Sequence, residues 1–286
     1  ARTGSMSEAS KELFISQPGL TTSIRELETE MGIKIFTRTN KGVVTSNEGE
    51  RFLGYARQVL EQASLLEGVY KSGTKIKQQF CVSTQHYSFA VNAFVDLIRR
   101  FAGEEYDFSL RETETYEIID DVAKMKSEIG ILYLNSFNKD ALMKIIKSKS
   151  LTFTELFTAK PHVFVSTDHP LADKKSVTME ELADYPYLSF EQGEHNSFYY
   201  SEEIFSTVGR TKNIRVTDRA TLFNLLIGLN GYTVCSGVID NELNGDNITA
   251  IPLDEEGNMK IGYIENKKIL HSNLAEAYIE ALKKHI

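Results

Sequence analysis

Residues 9–38, ASKELFISQPGLTTSIRELETEMGIKIFTR, form the most specific pattern in the chain. They are typical of two short helices joined by a sharp turn. Ser16 is suited to cap the second helix, and Pro18 fits its first turn, where a missing N–H does no harm. One buried stripe is predicted on this helix from the helical spacing of Leu20, Ile24, Leu27 and Met31, before Gly32 ends it. The pattern predicts a helix-turn-helix that presents polar side chains to the base edges of a DNA major groove.

The first helix of this pair is predicted to open at a capping box, Ser5-x-x-Glu8. Met6, Ala9 and Leu13 then recur at helical spacing, so they are its predicted inward positions. The helix is brief, because the pattern breaks before the second helix begins.

A hairpin and a long helix are predicted next. The strand-like runs 35–38 and 43–45 flank Thr39-Asn40-Lys41-Gly42, whose Asn and Gly favour the tight turn of a wing-sized ribbon. A second capping box, Thr45-x-x-Glu48, opens a helix with a narrow apolar stripe over about three heptads. Such a stripe needs a partner helix, so we expect dimerisation through Phe52, Ala56, Val59, Ala63, Leu66 and Tyr70. Ser72-Gly73-Thr74 then marks a linker.

From residue 79 onward, strand-like and helix-like segments alternate. The run 129–134 is apolar throughout, which is typical of a strand covered on both faces. A helix is also predicted near residues 202–208. A long series of such units favours two small α/β lobes over one large sheet.

The length of 286 residues predicts about two domains, and 41% hydrophobic with 25% charged residues is ordinary globular composition. The apolar runs stop far short of the ~20 residues of a membrane-spanning helix. The first eight residues lack an apolar signal-peptide core, so we expect a cytoplasmic location. Cys81 and Cys235 are too far apart for a CxxC site and lie in strand-like stretches, which predicts buried free thiols.

Charge is distributed unevenly along the chain. Residues 1–80 carry 11 Lys and Arg against 9 Asp and Glu, whereas residues 81–286 carry 21 against 31. Because an acidic body repels phosphate, any contact with nucleic acid is expected to be confined to the N-terminal part.

This order of helix-turn-helix, wing, linker helix and two-lobed remainder resembles the LysR-type transcriptional regulators over essentially the whole chain. The resemblance implies an α/β protein with a winged helix-turn-helix at residues 1–45, a linker and dimerisation helix at 46–74, and an effector-binding domain at 75–286. That domain would fold like a type 2 periplasmic binding protein, with lobe I near 79–158 and 255–286 and lobe II near 159–254. Family members begin with a further helix before the Gly4-Ser5 turn, so the resemblance implies that this first helix is missing here.

The resemblance also implies partners: double-stranded promoter DNA, a small-molecule effector, and further copies of the chain in a homodimer or homotetramer. It places DNA contacts at the start of the second helix and in the wing. Helix capping alone is the alternative role for Ser16 and Pro18. The DNA-contacting residues that it implies are Ser16, Gln17, Pro18, Thr21, Thr22, Arg25, Arg38 and Lys41.

The effector is expected to bind between the lobes, where strand ends and helix N-termini favour small organic anions. Thr84 and Thr221 are the leading candidates, by resemblance to the junctions that the family uses. Glu191 would disfavour an anion nearby, which leaves room for an amino acid. The full candidate set is Ser83, Thr84, Gln85, Asn135, Gln192 and Thr221.

Other classes of protein find less support in the sequence. The six histidines show no HExxH spacing, and no GxSxG or phosphate-loop motif occurs, so we expect no enzyme activity, no metal and no cofactor. Cys235 as a redox switch would lack a nearby second cysteine. A stand-alone ligand-binding protein with a non-functional N-terminal module is the alternative, and an enzyme on a similar two-lobed scaffold is a third class.

Overall fold

A computed structural model describes residues 3–39, 42–71, 78–101, 103, 105–239 and 246–286, with the backbone alone at residues 38, 61, 62 and 64–71. The chain divides into two compact units, residues 1–76 and residues 77–286. No helix in the described part of the chain is both long enough and apolar enough to cross a membrane.

The first unit contains the predicted helix-turn-helix, hairpin and long helix. The hairpin strands are antiparallel, and Phe36 lies opposite Thr45. Residues 40 and 41 of the predicted turn lie outside the described residues. The elements are α1 (Met6–Glu12), α2 (Gln17–Met31), β1 (Phe36–Thr39), β2 (Gly42–Thr45) and α3 (Asn47–Lys71).

The predicted N-caps of α1 and α2 and the predicted end of α2 are confirmed, but the predicted N-cap of α3 is wrong by one residue. The Ser5 and Ser16 hydroxyls accept hydrogen bonds from the first turns of α1 and α2, and Gly32 ends α2 at a φ of 66°. At α3 the cap is Ser46, whose Oγ accepts from Gly49 N at 2.9 Å. Thr45 cannot take this role because it is still paired in the hairpin.

The predicted buried stripe of the two short helices is confirmed only in part. Leu20 is buried, and Ile24 and Leu27 are half-buried. Met31 is 47% exposed and Leu13 is 58% exposed, so their assignment as inward residues is wrong. Met31 is the last residue of α2, and Leu13 lies one residue beyond the end of α1.

The second unit is built on two sheets and a short strand pair. The larger sheet has the order β4-β3-β5-β12-β6, and β3 runs parallel to β4 and β5, whereas β12 runs antiparallel to β5 and β6. The smaller sheet has the order β10-β7-β11, and β8 pairs with β9 in parallel. The strands are β3 (Gln78–Thr84), β4 (Tyr106–Glu112), β5 (Ile129–Leu134), β6 (Leu151–Ala159), β7 (His162–Ser166), β8 (Tyr187–Phe190), β9 (Asn213–Val216), β10 (Thr233–Cys235), β11 (Ile248–Pro252) and β12 (Met259–Asn266). The helices are α4 (Ser88–Phe101), α5 (Thr115–Ala123), α6 (Lys139–Ser148), α7 (Arg219–Leu229) and α8 (Asn273–Leu282).

The chain passes from the larger to the smaller sheet between β6 and β7 and returns between β11 and β12. All six residues of β5 are buried, as predicted for a strand covered on both faces. Gly130 in this strand has no room for a side chain, because a Cβ would lie 2.8 Å from side-chain atoms of both Ile118 and Ile264. Two packed lobes follow from this double crossing.

Two local predictions in this unit are corrected by the structure. Residues 202–208 form turns instead of the predicted helix. Phe205 has a left-handed φ of 63°, which a right-handed helix does not accommodate. Cys81 and Cys235 are free thiols as predicted, but both are half-buried instead of fully buried.

Candidate recognition helix and ligand cavity

The N-terminal half of α2 presents a polar face to solvent. Gln17, Thr22 and Arg25 are exposed, and Leu20 on the other side of the helix is buried. Ser16 Oγ accepts from Gly19 N at 3.2 Å, and the Thr21 hydroxyl donates to the Gln17 carbonyl at 2.9 Å. The helix N-terminus also adds a partial positive charge. These groups together suit contact with phosphates and base edges.

Of the other predicted DNA-contacting residues, Pro18 is exposed at the start of α2 and Thr21 is half-buried. Arg38 lies in β1, but the position of its side chain is outside the described part of the structure, as is Lys41 altogether.

Glu28 joins α2 to the hairpin, a role that sequence reasoning missed. Its carboxylate accepts from Ile35 N at 2.7 Å and Phe36 N at 3.0 Å, and Lys34 Nζ lies 3.1 Å away. The Phe36 N–H, with Lys34 and the Ile35 N–H, lowers the pKa of Glu28 despite its burial. An acidic residue on the side of α2 that also carries Ile24 is the only sequence signal for this contact.

The predicted dimerisation stripe on α3 is not fully covered within this chain. Phe52 and Ala56 are half-buried, Val59 is 67% exposed, and Ala63 is exposed. The side chains of Leu66 and Tyr70 lie outside the described residues. Tyr55 and Leu60 are further apolar residues of α3 exposed by 67% and 68%.

A cavity of about 50 Å³ lies between the two sheets of the second unit. The segment after β3 and the start of β12 line it from the larger sheet, and β7, β10 and α7 line it from the other side. Much of the lining is apolar. The lining residues are His86, Tyr87, Ser88, Phe164, Phe190, Glu202, Glu203, Arg219, Leu222, Phe223, Thr233, Val234, Cys235, Ser236, Val238 and Met259.

His86 and Glu202 form an ion pair across this cavity. His86 Nδ1 lies 2.9 Å from Glu202 Oε2, and His86 N donates to the same carboxylate at 3.0 Å. The imidazole stacks on Phe190 with 3.7 Å between ring centroids. Burial by itself lowers the pKa of His86, but the Glu202 carboxylate, with help from Glu112, outweighs burial and raises it.

Arg219 forms a second ion pair, in which its Nη2 lies 2.6 Å from Glu112 Oε1. Burial raises the pKa of Glu112, although Arg219 and His86 oppose the change. Arg219 opens α7, whose N-terminus is capped by Asp218 through a 2.8 Å hydrogen bond from Thr221 N.

Glu203 is, with Glu202, one of the two carboxyl groups of the cavity lining and is 2% exposed. It accepts from Phe190 N at 2.8 Å. Burial and the neighbouring Glu202 raise the pKa of Glu203 to about 8. This carboxyl group is therefore neutral in the free protein at pH 7.

The first three predicted effector-binding residues are buried and bonded within the protein. Ser83 Oγ donates to Asp121 Oδ2 at 2.8 Å, and Thr84 Oγ1 donates to the Gln85 carbonyl at 2.7 Å. The Gln85 amide donates to Thr115 Oγ1 at 2.7 Å. Their polar groups hold the end of β3 in place.

The other three candidates lie in turns and at a helix start. Asn135 Oδ1 accepts two backbone N–H groups of its own turn, and Thr221 is exposed on α7. Gln192 accepts from Thr115 N at 3.0 Å and donates to Glu202 Oε1 at 3.2 Å. None of the six candidates is among the described residues that line the cavity.

Sequence reasoning missed the charged lining of the cavity. His86 follows directly on Gln85, so the correct strand end was identified but not the side chain that faces the cavity. The adjacent pair Glu202-Glu203 and the Arg219 that opens α7 are visible in the sequence. Nothing in the spacing of these residues indicates that they meet.

Comparisons with known proteins agree with this architecture. The family model described as the LysR substrate binding domain matches residues 82–286, and that of the lysR-family bacterial regulatory helix-turn-helix protein matches residues 1–50. The chain is 28% identical over 192 residues to the HTH-type transcriptional regulator CysB of Burkholderia cenocepacia, which covers 65% of this chain and 58% of that protein. It is also 28% identical over 198 residues to the regulator YybE of Bacillus subtilis, with 68% and 63% covered. The alignments thus span less than two thirds of these relatives.

Solved structures show the same fold. A mutant of full-length BenM superposes with a TM-score of 0.52 at 20% identity, over 99% of this chain and 92% of that one. The H2O2-bound form of an OxyR mutant from Corynebacterium glutamicum gives a TM-score of 0.50 at 17% identity, over 100% and 90%. The match over residues 1–50 does not favour a stand-alone ligand-binding protein, and the family consists of regulators, not enzymes. Since the substrate-binding model alone covers more than half of the sequence, the chain belongs to the LysR family of bacterial transcriptional regulators.

Proposed function

We propose that the protein is a cytoplasmic transcriptional regulator that binds promoter DNA and changes this binding when a small molecule occupies the cavity between its lobes. The observation that carries the proposal is the polar, solvent-exposed start of α2 on a helix whose other side is buried. A helix of this kind can enter a major groove without unfolding its own unit.

DNA contact is assigned to the start of α2 and to the hairpin. Gln17 and the two threonines read base edges, while Ser16, Arg25 and the hairpin cations bind phosphates. The complete assigned set is Ser16, Gln17, Pro18, Thr21, Thr22, Arg25, Arg38 and Lys41.

Two or four copies of the chain assemble in this proposal. The apolar stripe of α3, partly exposed in one chain, pairs with the same stripe of a second copy. Two copies then present two α2 helices to a roughly palindromic site, as two-fold symmetry requires.

The effector is assigned to the cavity between the sheets. Ser83, Thr84, Gln85 and Gln192 support its walls through the hydrogen bonds described above, and Asn135 and Thr221 lie at neighbouring junctions. Ligand binding alters DNA binding only if the ligand has different affinities for two arrangements of the protein.

The test is footprinting at low salt of the DNA upstream of the gene that encodes this chain. Fluorescence anisotropy with the protected duplex then measures the affinity. Thr22→Val should weaken binding to this duplex. Thr29→Val, two helical turns away at an equally exposed position, serves as the matched control and should not change it. Absence of any protected site would overturn the proposal.

A further inference from the structure

Of the charged side chains that line the ligand cavity, both cations have ion-pair partners among the described residues, whereas one carboxyl group does not. Both of its cations are already held by carboxylates of the protein: His86 by Glu202 at 2.9 Å and Arg219 by Glu112 at 2.6 Å. The second carboxyl group of the lining, Glu203, forms no ion pair with a lysine or arginine among the described residues. A ligand can therefore pair a positive charge with Glu203, whereas both cations of the lining are already paired with carboxylates of the protein.

The other lining groups define what else a ligand must offer. His86 Nε2 is buried and has no hydrogen-bond partner in the described part of the molecule. Since Nδ1 of the same ring faces Glu202, the protonated ring has an N–H at Nε2 that lacks an acceptor. Most of the remaining wall is apolar, with Phe164, Leu222, Phe223, Val234, Val238 and Met259.

On the basis of the regulator function above, we propose that the effector is an apolar amino acid. Its ammonium group binds Glu203, its carboxylate accepts from His86 Nε2, and its side chain packs against the apolar wall. This ligand brings a positive charge to Glu203 and a negative charge to His86 Nε2. Among the described residues, the first has no ion-pair partner and the second has no hydrogen-bond partner.

An organic acid without an amine fits the cavity less well. It can also place its carboxylate at His86 Nε2, but it brings no ammonium group and so forgoes the ion pair with Glu203. Its negative charge would also lie near the Glu202 and Glu112 carboxylates, with no ammonium group to offset the repulsion in a poorly solvated site.

The protonation of Glu203 is consistent with an ammonium ligand. With a pKa of about 8, this carboxyl group is neutral while the cavity is empty, so no unpaired charge is buried. An arriving ammonium group favours the ionised form, because an opposite charge at close range lowers the pKa of a carboxyl group. The negative charge thus forms only when its partner is present.

The experiment compares matched ligand pairs on the full-length chain by thermal shift and titration calorimetry. The pairs are L-leucine with 4-methylpentanoate, L-methionine with 4-(methylsulfanyl)butanoate, and L-phenylalanine with 3-phenylpropanoate. L-valine and L-isoleucine complete the amino acids. We expect at least one amino acid to bind. It should bind about tenfold or more tightly than its deaminated partner, because removal of the ammonium group removes a charge-assisted hydrogen bond. If no amino acid binds, or if the deaminated acids bind as tightly, the inference fails.

Glu203→Gln tests the assigned contact, because it keeps the size of the side chain and removes its charge. It should weaken binding of the amino acid by about tenfold or more and should not weaken binding of the deaminated acid. Glu191→Gln is the matched control, since Glu191 is exposed and does not line the cavity. Equal losses in the two variants would overturn the contact.

The two proposals fail in different ways. A chain that protects promoter DNA but binds none of the amino acids contradicts only the ligand assignment. A chain that binds an amino acid but protects no DNA contradicts the regulator function and leaves the ligand assignment intact.

Discussion

The recognition helix and the ligand cavity of this protein differ in how much of the chain is needed to build them. The proposed DNA-reading face lies mostly on one helix, residues 17–31, and its cap is the preceding residue. The cavity instead takes residues from segments between positions 86 and 259. A surface built from one helix follows from periodicity and capping, whereas a cavity built from many segments depends on which strands pair.

Charge pairs between residues far apart in sequence hold the cavity together, so we expect that breaking one of them has the largest effect on stability. Glu202→Gln removes the partner of the buried His86 and should lower the free energy of unfolding by about 3 kcal/mol. Urea denaturation of the full chain, followed by circular dichroism, measures this change. Glu194→Gln, an exposed site in the same segment, should change the stability by less than about 0.5 kcal/mol. Similar losses in both variants would mean that the ion pair does not hold the lobes together.

The second prediction concerns pH. Because the pKa of Glu203 is raised from 4.5 to about 8 in the folded protein, the folded state binds this proton more tightly than the unfolded state. The chain should therefore lose stability as the pH rises from 4.5 towards 8, and Glu203→Gln should remove a loss on the order of 4 kcal/mol over this range.

His86 acts in the same direction, because its raised pKa means that its stabilising contribution is lost as the pH rises above 6.5. Urea denaturation of parent and variant at pH 5 and pH 8 separates the two groups. A Glu203→Gln variant with the same pH dependence as the parent would show that Glu203 is already ionised when the cavity is empty.

The third prediction concerns the N-terminal unit, where one side chain joins the recognition helix to the hairpin. Glu28→Ala leaves the N–H groups of Ile35 and Phe36 without their acceptor and should lower the free energy of unfolding by about 2 kcal/mol. Promoter affinity should fall as well, because the hairpin is no longer held at the end of α2. Glu26→Ala, at an exposed position of the same helix, is the control for both measurements.

The smallest effect is expected on the exposed face of α2. Gln17→Ala should leave folding unchanged and reduce discrimination between the promoter and a base-substituted duplex by about 1 kcal/mol. Competition binding with the two duplexes measures this change. If variant and parent discriminate equally between the two duplexes, Gln17 contacts the DNA backbone or only solvent, and not a base edge.

The N-terminal unit could be predicted closely from the sequence, because its elements are set by neighbouring residues. The caps at Ser5, Ser16 and Gly32 follow from local hydrogen bonding and from glycine's tolerance of a positive φ. The exception is Glu28, whose burial depends on the strand that returns to it.

The second unit could be predicted as two α/β lobes, but not the interior of its cavity. The apolar run of β5 indicates a central strand whatever its neighbours are. Thr84, the last residue of β3, donates to the Gln85 carbonyl, whereas His86, beyond the strand, lines the cavity. Only the packed neighbours show which side chain of this junction faces the cavity.

Periodicity, capping and composition were thus sufficient for the helix-turn-helix, the exposed face of α2 and the alternation of strands and helices in the second unit, because each depends on residues a few positions apart. The tertiary structure alone showed that Glu202 lies against His86, that Glu112 lies against Arg219, and that Glu203 has no lysine or arginine paired with it among the residues described. Those pairings join residues about 100 positions apart, and no local rule of chain geometry determines which charges meet inside a cavity.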